Sequence, residues 1–186
     1  MIRAFIAVAL PESLRNEVAM LSAHLRSSEA DVKWVAAGNL HLTLKFLGDI
    51  EENQVGPIEE ALSAAVKSHS LFTIQLEGIG AFPRTTSPRV VWIGVGTGKE
   101  QLTQLAQCVE KTCIGLGFPE EERAFSPHLT IGRVRSRDRL AQLIKRLQVV
   151  EFCGKNPAQI DRLILFQSYL SPQGPTYTPL AEIPLG

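Results

Sequence analysis

The stretch Asn39-Leu40-His41-Leu42-Thr43-Leu44-Lys45-Phe46-Leu47-Gly48 decides how this chain is read, because its core returns as Ser126-Pro127-His128-Leu129-Thr130-Ile131-Gly132-Arg133. Each copy is His-Leu-Thr followed by an aliphatic residue, and 128 − 41 = 87 residues separate them. Apolar β-formers surround both, so each reads as a strand. Residues two apart on a strand share a face. His41 and Thr43 therefore point one way and Leu42 and Leu44 the other, and His128 and Thr130 repeat the pattern. An imidazole beside a hydroxyl, presented twice, suits a site made of two equivalent halves.

The elements around the motifs repeat in the same order. Ile2 to Leu10 reads as a buried strand, followed by a helix opened by Pro11 at its first position, with Leu14, Val18, Leu21 and Leu25 as its apolar stripe. Val32 to Val35 is a short extended piece. The first histidine strand ends at Gly48-Asp49, a helix spans about 57–68, a strand covers 71–76, and turn residues make 84–88 a loop. In the second half, Arg89 to Val95 is a strand, Lys99 to Leu116 a helix, 138–147 a helix and 160–166 a strand. A last strand spans 174–185. Subtracting 87 places these second-half elements onto their first-half counterparts. The expectation is one bilobal α+β domain over 1–186, with an internal repeat of approximately 1–87 and 88–174. Its two pseudo-symmetric lobes of mostly antiparallel sheet carry outer helices, and the active-site cleft lies between them.

The totals limit what such a site can serve. With 186 residues, 45% of them hydrophobic and 20% charged, the chain buries a real core. Nineteen basic and nineteen acidic residues cancel, so no overall field draws the protein onto long nucleic acid. Three cysteines, Cys108, Cys113 and Cys153, lack metal-ligand spacing and read as reduced thiols. Without a signal peptide or a membrane-spanning run, the expectation is a cytoplasmic monomer that does not associate with membranes.

A lone histidine on an apolar strand is usually a structural one; the recurrence of His-x-Thr in matching surroundings argues for chemistry. His24 and His69 lack such company and read as surface residues. Two histidines alone are too few for a catalytic zinc, and no cysteine or serine stands in a nucleophile motif. Paired acid–base catalysis remains. One neutral imidazole takes a proton from water while the other, charged, gives one to a leaving oxygen. Thr43 and Thr130 donate hydrogen bonds to an anion between them. In-line displacement at phosphorus needs its attacking and leaving oxygens on opposite sides, so the substrate reads as a phosphodiester. This chemistry leaves open which histidine is acid and which is base.

The chain resembles the two-histidine phosphoesterase superfamily, and within it the bacterial RNA 2′,3′-cyclic phosphodiesterases, also called 2′–5′ RNA ligases. The likeness runs through Arg3-Ala4-Phe5-Ile6-Ala7, Val32-Lys33-Trp34-Val35, the run His41 to Gly48, Ala81-Phe82-Pro83, Pro88-Arg89-Val90-Val91-Trp92, Arg123 to Thr130, Ser168-Tyr169-Leu170 and Gly174 with Tyr177. The resemblance implies hydrolysis of a terminal 2′,3′-cyclic phosphate on RNA to a 2′-phosphate, with no metal or other cofactor. Under it, His41 resembles the proton donor to the leaving 3′ oxygen and His128 the base that activates water. Thr43 and Thr130 would hold the phosphate; Arg123 suits either a phosphate contact beside them or the plain protein surface. Arg133, Arg135, Arg137 and Arg139 form a basic run that suits RNA backbone or a solvated face. Phe46 and Phe125 suit either a stacked base or the core. Three alternatives stay open: a 2′–5′ ligase, a phosphodiesterase of small cyclic nucleotides, and a non-catalytic module that binds RNA ends.

Overall fold

A computed structural model describes residues 1–172 and 174–186. In chain order the elements are β1 (Ile2–Ala9), α1 (Glu12–Arg26), β2 (Val32–Trp34), β3 (His41–Ile50), α2 (Val55–Val66), β4 (Phe72–Ile74) and β5 (Leu76–Arg84). They continue with β6 (Ser87–Val95), α3 (Lys99–Gly115), β7 (His128–Val134), α4 (Leu140–Val149), β8 (Ala158–Ile160), β9 (Arg162–Ser171) and β10 (Gly174–Pro184). Two four-stranded sheets result, ordered β10-β9-β1-β3 and β2-β7-β6-β5, with β4 and β8 forming a short third sheet. All pairings are antiparallel. In one sheet β1 lies between β9 and β3; in the other β6 lies between β5 and β7. Each histidine strand thus borders a strand from the start of its own half.

One continuous core lies behind the motifs. Ile6, Val8, Leu42 and Leu44 from the first sheet join Val91, Ile93, Leu129 and Ile131 from the second. The helices add Leu14, Val18, Ile58, Leu62, Leu102, Leu105 and Val109. Burying one such side chain contributes roughly 1.5–3 kcal/mol, so the leucines that alternate with His41 and His128 tie both motif strands to the core. No helix among the described residues is long and apolar enough to cross a membrane. The three cysteines are free. The Cys113 thiol, buried in α3, is pushed up to about 11, chiefly by that burial.

Several local expectations change. Pro11 caps α1 from an extended conformation, one position before the first helical residue, and its carbonyl accepts the Arg15 N–H at 3.0 Å. Gly48 does not end β3: with φ at 75° it lets the strand bend and continue to Ile50, whose side chain is buried. The second helix begins at Val55, entered directly from a 3-10 turn over Glu52–Gln54 that has its own capping box, Gln54 Oε1 accepting the Glu51 N–H at 2.9 Å. The stretch 84–88 is a hairpin in which Arg84 pairs with Ser87 across Thr85-Thr86, not a loop. His24 is exposed, and His69 is half-buried just beyond the end of α2.

Strict alternation also fails beyond each threonine. Ile6 pairs with Lys45 and Ala7 with Thr43, so Leu44 is an extra residue in β3. Trp92 pairs with Thr130 and Val91 with Gly132, which makes Ile131 its equivalent in β7. Past each bulge the faces exchange. Lys45 turns inward and is 2% exposed, whereas Phe46 emerges at 59%. Lys45 Nζ pairs with Glu110 Oε2 at 2.7 Å and donates to the Pro119 carbonyl at 3.0 Å. The other Glu110 oxygen accepts the Glu121 N–H at 2.8 Å. A buried ion pair thereby fastens the segment leading to the second motif onto the strand of the first.

Candidate active site

The two histidines are held in the same way. His41 Nδ1 lies 2.7 Å from the carbonyl oxygen of Asn39, and His128 Nδ1 lies 2.7 Å from that of Ser126. A carbonyl oxygen only accepts, so Nδ1 carries the proton in both rings. Nε2 is thereby the nitrogen available for proton transfer, and each ring's orientation is fixed by the residue two positions upstream. Asn39 is itself anchored, its side-chain amide donating to the Pro175 carbonyl in β10 at 2.8 Å.

Aromatic rings complete each mounting. Tyr177 stands edge-on to His41, with centroids 5.0 Å apart and planes at 88°. Phe5 lies 4.8 Å from the same imidazole and stacks on Phe166 at 5.2 Å. In the other sheet Phe82 stands edge-on to His128 at 5.0 Å and 87°, with Trp92 at 6.4 Å. These are favourable edge-to-face separations. Burial pushes the His41 imidazole below its ordinary value of 6.5, and the bond to Asn39 opposes this more weakly.

Thr43 and Thr130 are half-buried on the same faces as their histidines. The alternating leucines and Ile131 all lie in the core, as the strand reading requires. Strands β3 and β7 pack against each other where the sheets meet. Arg123 lies exposed in the irregular segment before β7 and forms no hydrogen bond or ion pair among the described residues. Phe125 packs against the core, whereas Phe46 sits 6.1 Å from Phe5 on the imidazole-bearing side. Of the basic run, Arg133 occupies in β7 the position that Phe46 has in β3, five residues after the histidine and beyond the bulge. Its guanidinium is near enough to Tyr177 to oppose the rise that burial imposes on the phenol. Arg133 therefore belongs to the second sheet yet is felt beside the first histidine. The bulges hid this placement; equal five-residue spacing from the two histidines was the available signal.

This arrangement has close counterparts. A family model described as LigT like Phosphoesterase matches residues 8–92 and again 93–177. The RNA 2′,3′-cyclic phosphodiesterase of Methanothermobacter thermautotrophicus is 40% identical over 180 residues, covering 95% of each chain. Among solved structures, TT0787 of Thermus thermophilus superposes with a TM-score of 0.81 at 28% identity, covering 98% of this chain and 97% of that one. Escherichia coli LigT complexed with 3′-AMP gives 0.76 at 28% identity, with coverage of 99% and 98%. Matched along both halves and through the whole length, the chain belongs to the LigT-like phosphoesterases of the two-histidine superfamily.

Proposed function

We propose that this protein hydrolyses the terminal 2′,3′-cyclic phosphate of RNA to a 2′-phosphomonoester, using His41 and His128 as an acid–base pair. The observation that carries the reading is the shared mounting of the two imidazoles, each with Nδ1 committed to a backbone carbonyl and Nε2 left for the reaction. The name of the full-length relative supports the substrate. The bilobal chain, with repeats of approximately 1–87 and 88–174, supplies one histidine from each half.

In the reaction, water attacks phosphorus and the bond from phosphorus to the 3′ oxygen breaks. His128 Nε2 takes the proton from water, and the His41 imidazolium delivers its own to the departing 3′ oxygen. Charge and protons balance within the step, and the pair resets when His128 releases a proton to solvent and His41 takes one up. The acid and base roles follow the superfamily resemblance. Burial lowers the affinity of His41 for its proton, which makes its imidazolium a stronger donor; the bound phosphate anion favours the charged form until transfer. Thr43 and Thr130 hydroxyls hold the non-bridging oxygens, and Arg133 adds a charge-assisted contact as negative charge builds. Phe46, exposed beside Phe5, offers a face for the terminal base.

The test is incubation of the purified protein with an RNA ending in 2′,3′-cyclic phosphate in the presence of EDTA, followed by mapping of the product. A 2′-phosphate formed at full rate is the expected result. A 3′-phosphate product, or turnover that disappears in EDTA and returns with zinc or manganese, would refute it.

A further inference from the structure

Strand β2, the outermost in the second sheet, pairs Lys33 directly with Arg133 of β7. Directly opposed residues on adjacent strands share a face with their Cβ atoms about 5 Å apart, and like charges there repel. Val32 and Trp34 pack toward the core, so Lys33 and Arg133 project from the other side. Both are exposed, and neither forms an ion pair among the described residues. Two adjacent cations without a carboxylate in a chain of zero net charge leave a local positive site that an anion would relieve.

The location narrows the anion. Beyond the bulge at Ile131, Arg133 returns to the outward side of β7 that carries His128 and Thr130, which puts it on the histidine-bearing face of the second sheet. Lys33 lies one strand farther out. It also reaches toward the opposite sheet: a Cβ built on Gly174, where β10 begins, would lie 3.9 Å from Lys33 Nζ. Lys33 therefore stands where the edge strands β2 and β10 of the two sheets come together, beside Gly174 and so one residue from Pro175, whose carbonyl holds Asn39. Its flexible four-carbon stem suits a point-charge contact to phosphate oxygen.

We propose that Lys33, opposed to Arg133, forms a subsite for the internucleotide phosphate on the 5′ side of the terminal nucleotide, making the protein selective for oligoribonucleotides over mononucleotides. This rests on the RNA-end reading given above and extends it to the second phosphate.

The test compares binding of a short oligoribonucleotide bearing a terminal 2′-phosphate with binding of adenosine 2′-phosphate, in wild type, Lys33→Glu and Lys33→Arg. Binding does not require turnover, so failure of the hydrolytic reading in the cyclic-phosphate assay is distinguishable from failure here. Lys33→Glu should lower the oligomer-to-mononucleotide affinity ratio at least about tenfold, the loss falling on the oligomer, and Lys33→Arg should restore the ratio. The slope of log affinity against log salt for the oligomer should shrink by about 0.7 on loss of one single-strand phosphate contact. Equal weakening of both ligands would place Lys33 on the terminal phosphate and overturn the proposal. An unchanged ratio in Lys33→Glu would do so too.

Discussion

Tyr177 stands at 88° to the imidazole of His41 with ring centroids 5.0 Å apart, and it comes from the last strand of the chain to do so. With Phe5 on another side, it confines the ring so that Nδ1 stays on the Asn39 carbonyl. Tyr177→Phe keeps the edge contact and should retain turnover within about threefold, because no hydroxyl bond is needed to hold the ring. Tyr177→Ala frees the ring and should lower kcat by about tenfold or more, since small displacements of a catalytic group cost up to ~10²-fold. Steady-state kinetics of the two variants on an RNA with a 2′,3′-cyclic phosphate end distinguish packing from hydroxyl chemistry.

The pH profile follows from the burial of His41. Its imidazole is held below 6.5 in the free protein, so as an acid it loses its proton at lower pH than an ordinary histidine. The alkaline limb of kcat/KM should therefore be drawn toward lower pH. The limb of kcat should lie at higher pH, because the bound phosphate anion favours the imidazolium. The two histidines titrate together, so these are values of the pair. A kcat/KM that rises steadily beyond pH 8 would exclude His41 as the acid.

Lys45 and Glu110 make a separate prediction about stability. Glu110→Gln leaves a buried ammonium without its counter-charge and should cost about 3–5 kcal/mol in urea unfolding. Lys45→Met combined with Glu110→Leu removes both charges and should recover most of that loss. If Glu110→Gln unfolds like wild type, the pair is not what fastens the 116–127 segment.

How much of this was legible in the sequence depended on periodicity. His41, Thr43, His128 and Thr130 share faces as alternation requires, because the leucines between them are committed to the core. The repeated order of elements was readable, but the pairing was not: β9 joins β1 and β2 joins β7, so each sheet takes strands from both halves. Alternation broke at Leu44 and Ile131, where bulges exchange the faces, and so Lys45 was not foreseen as buried, and Arg133, read only as part of a basic run, was not foreseen on the histidine-bearing face. Tyr177, Phe82 and Asn39 were present in recognisable stretches, but their contacts with the histidines come from curvature and packing that no local pattern encodes. Arg123, prominent beside the second motif in sequence, lies exposed in an irregular segment.

The most direct measurement of the central claim is a double-mutant comparison of His41→Ala, His128→Ala and the combined variant, each shown to be folded, with kcat/KM on a cyclic-phosphate RNA end as the readout. Each imidazole is expected to contribute about 10²–10⁴-fold. Acting in one transition state, they should be non-additive, so the double variant should lose far less than the product of the single losses. Single losses that multiply in full, or a folded single-histidine variant with near wild-type turnover, would contradict catalysis by His41 and His128 as a pair.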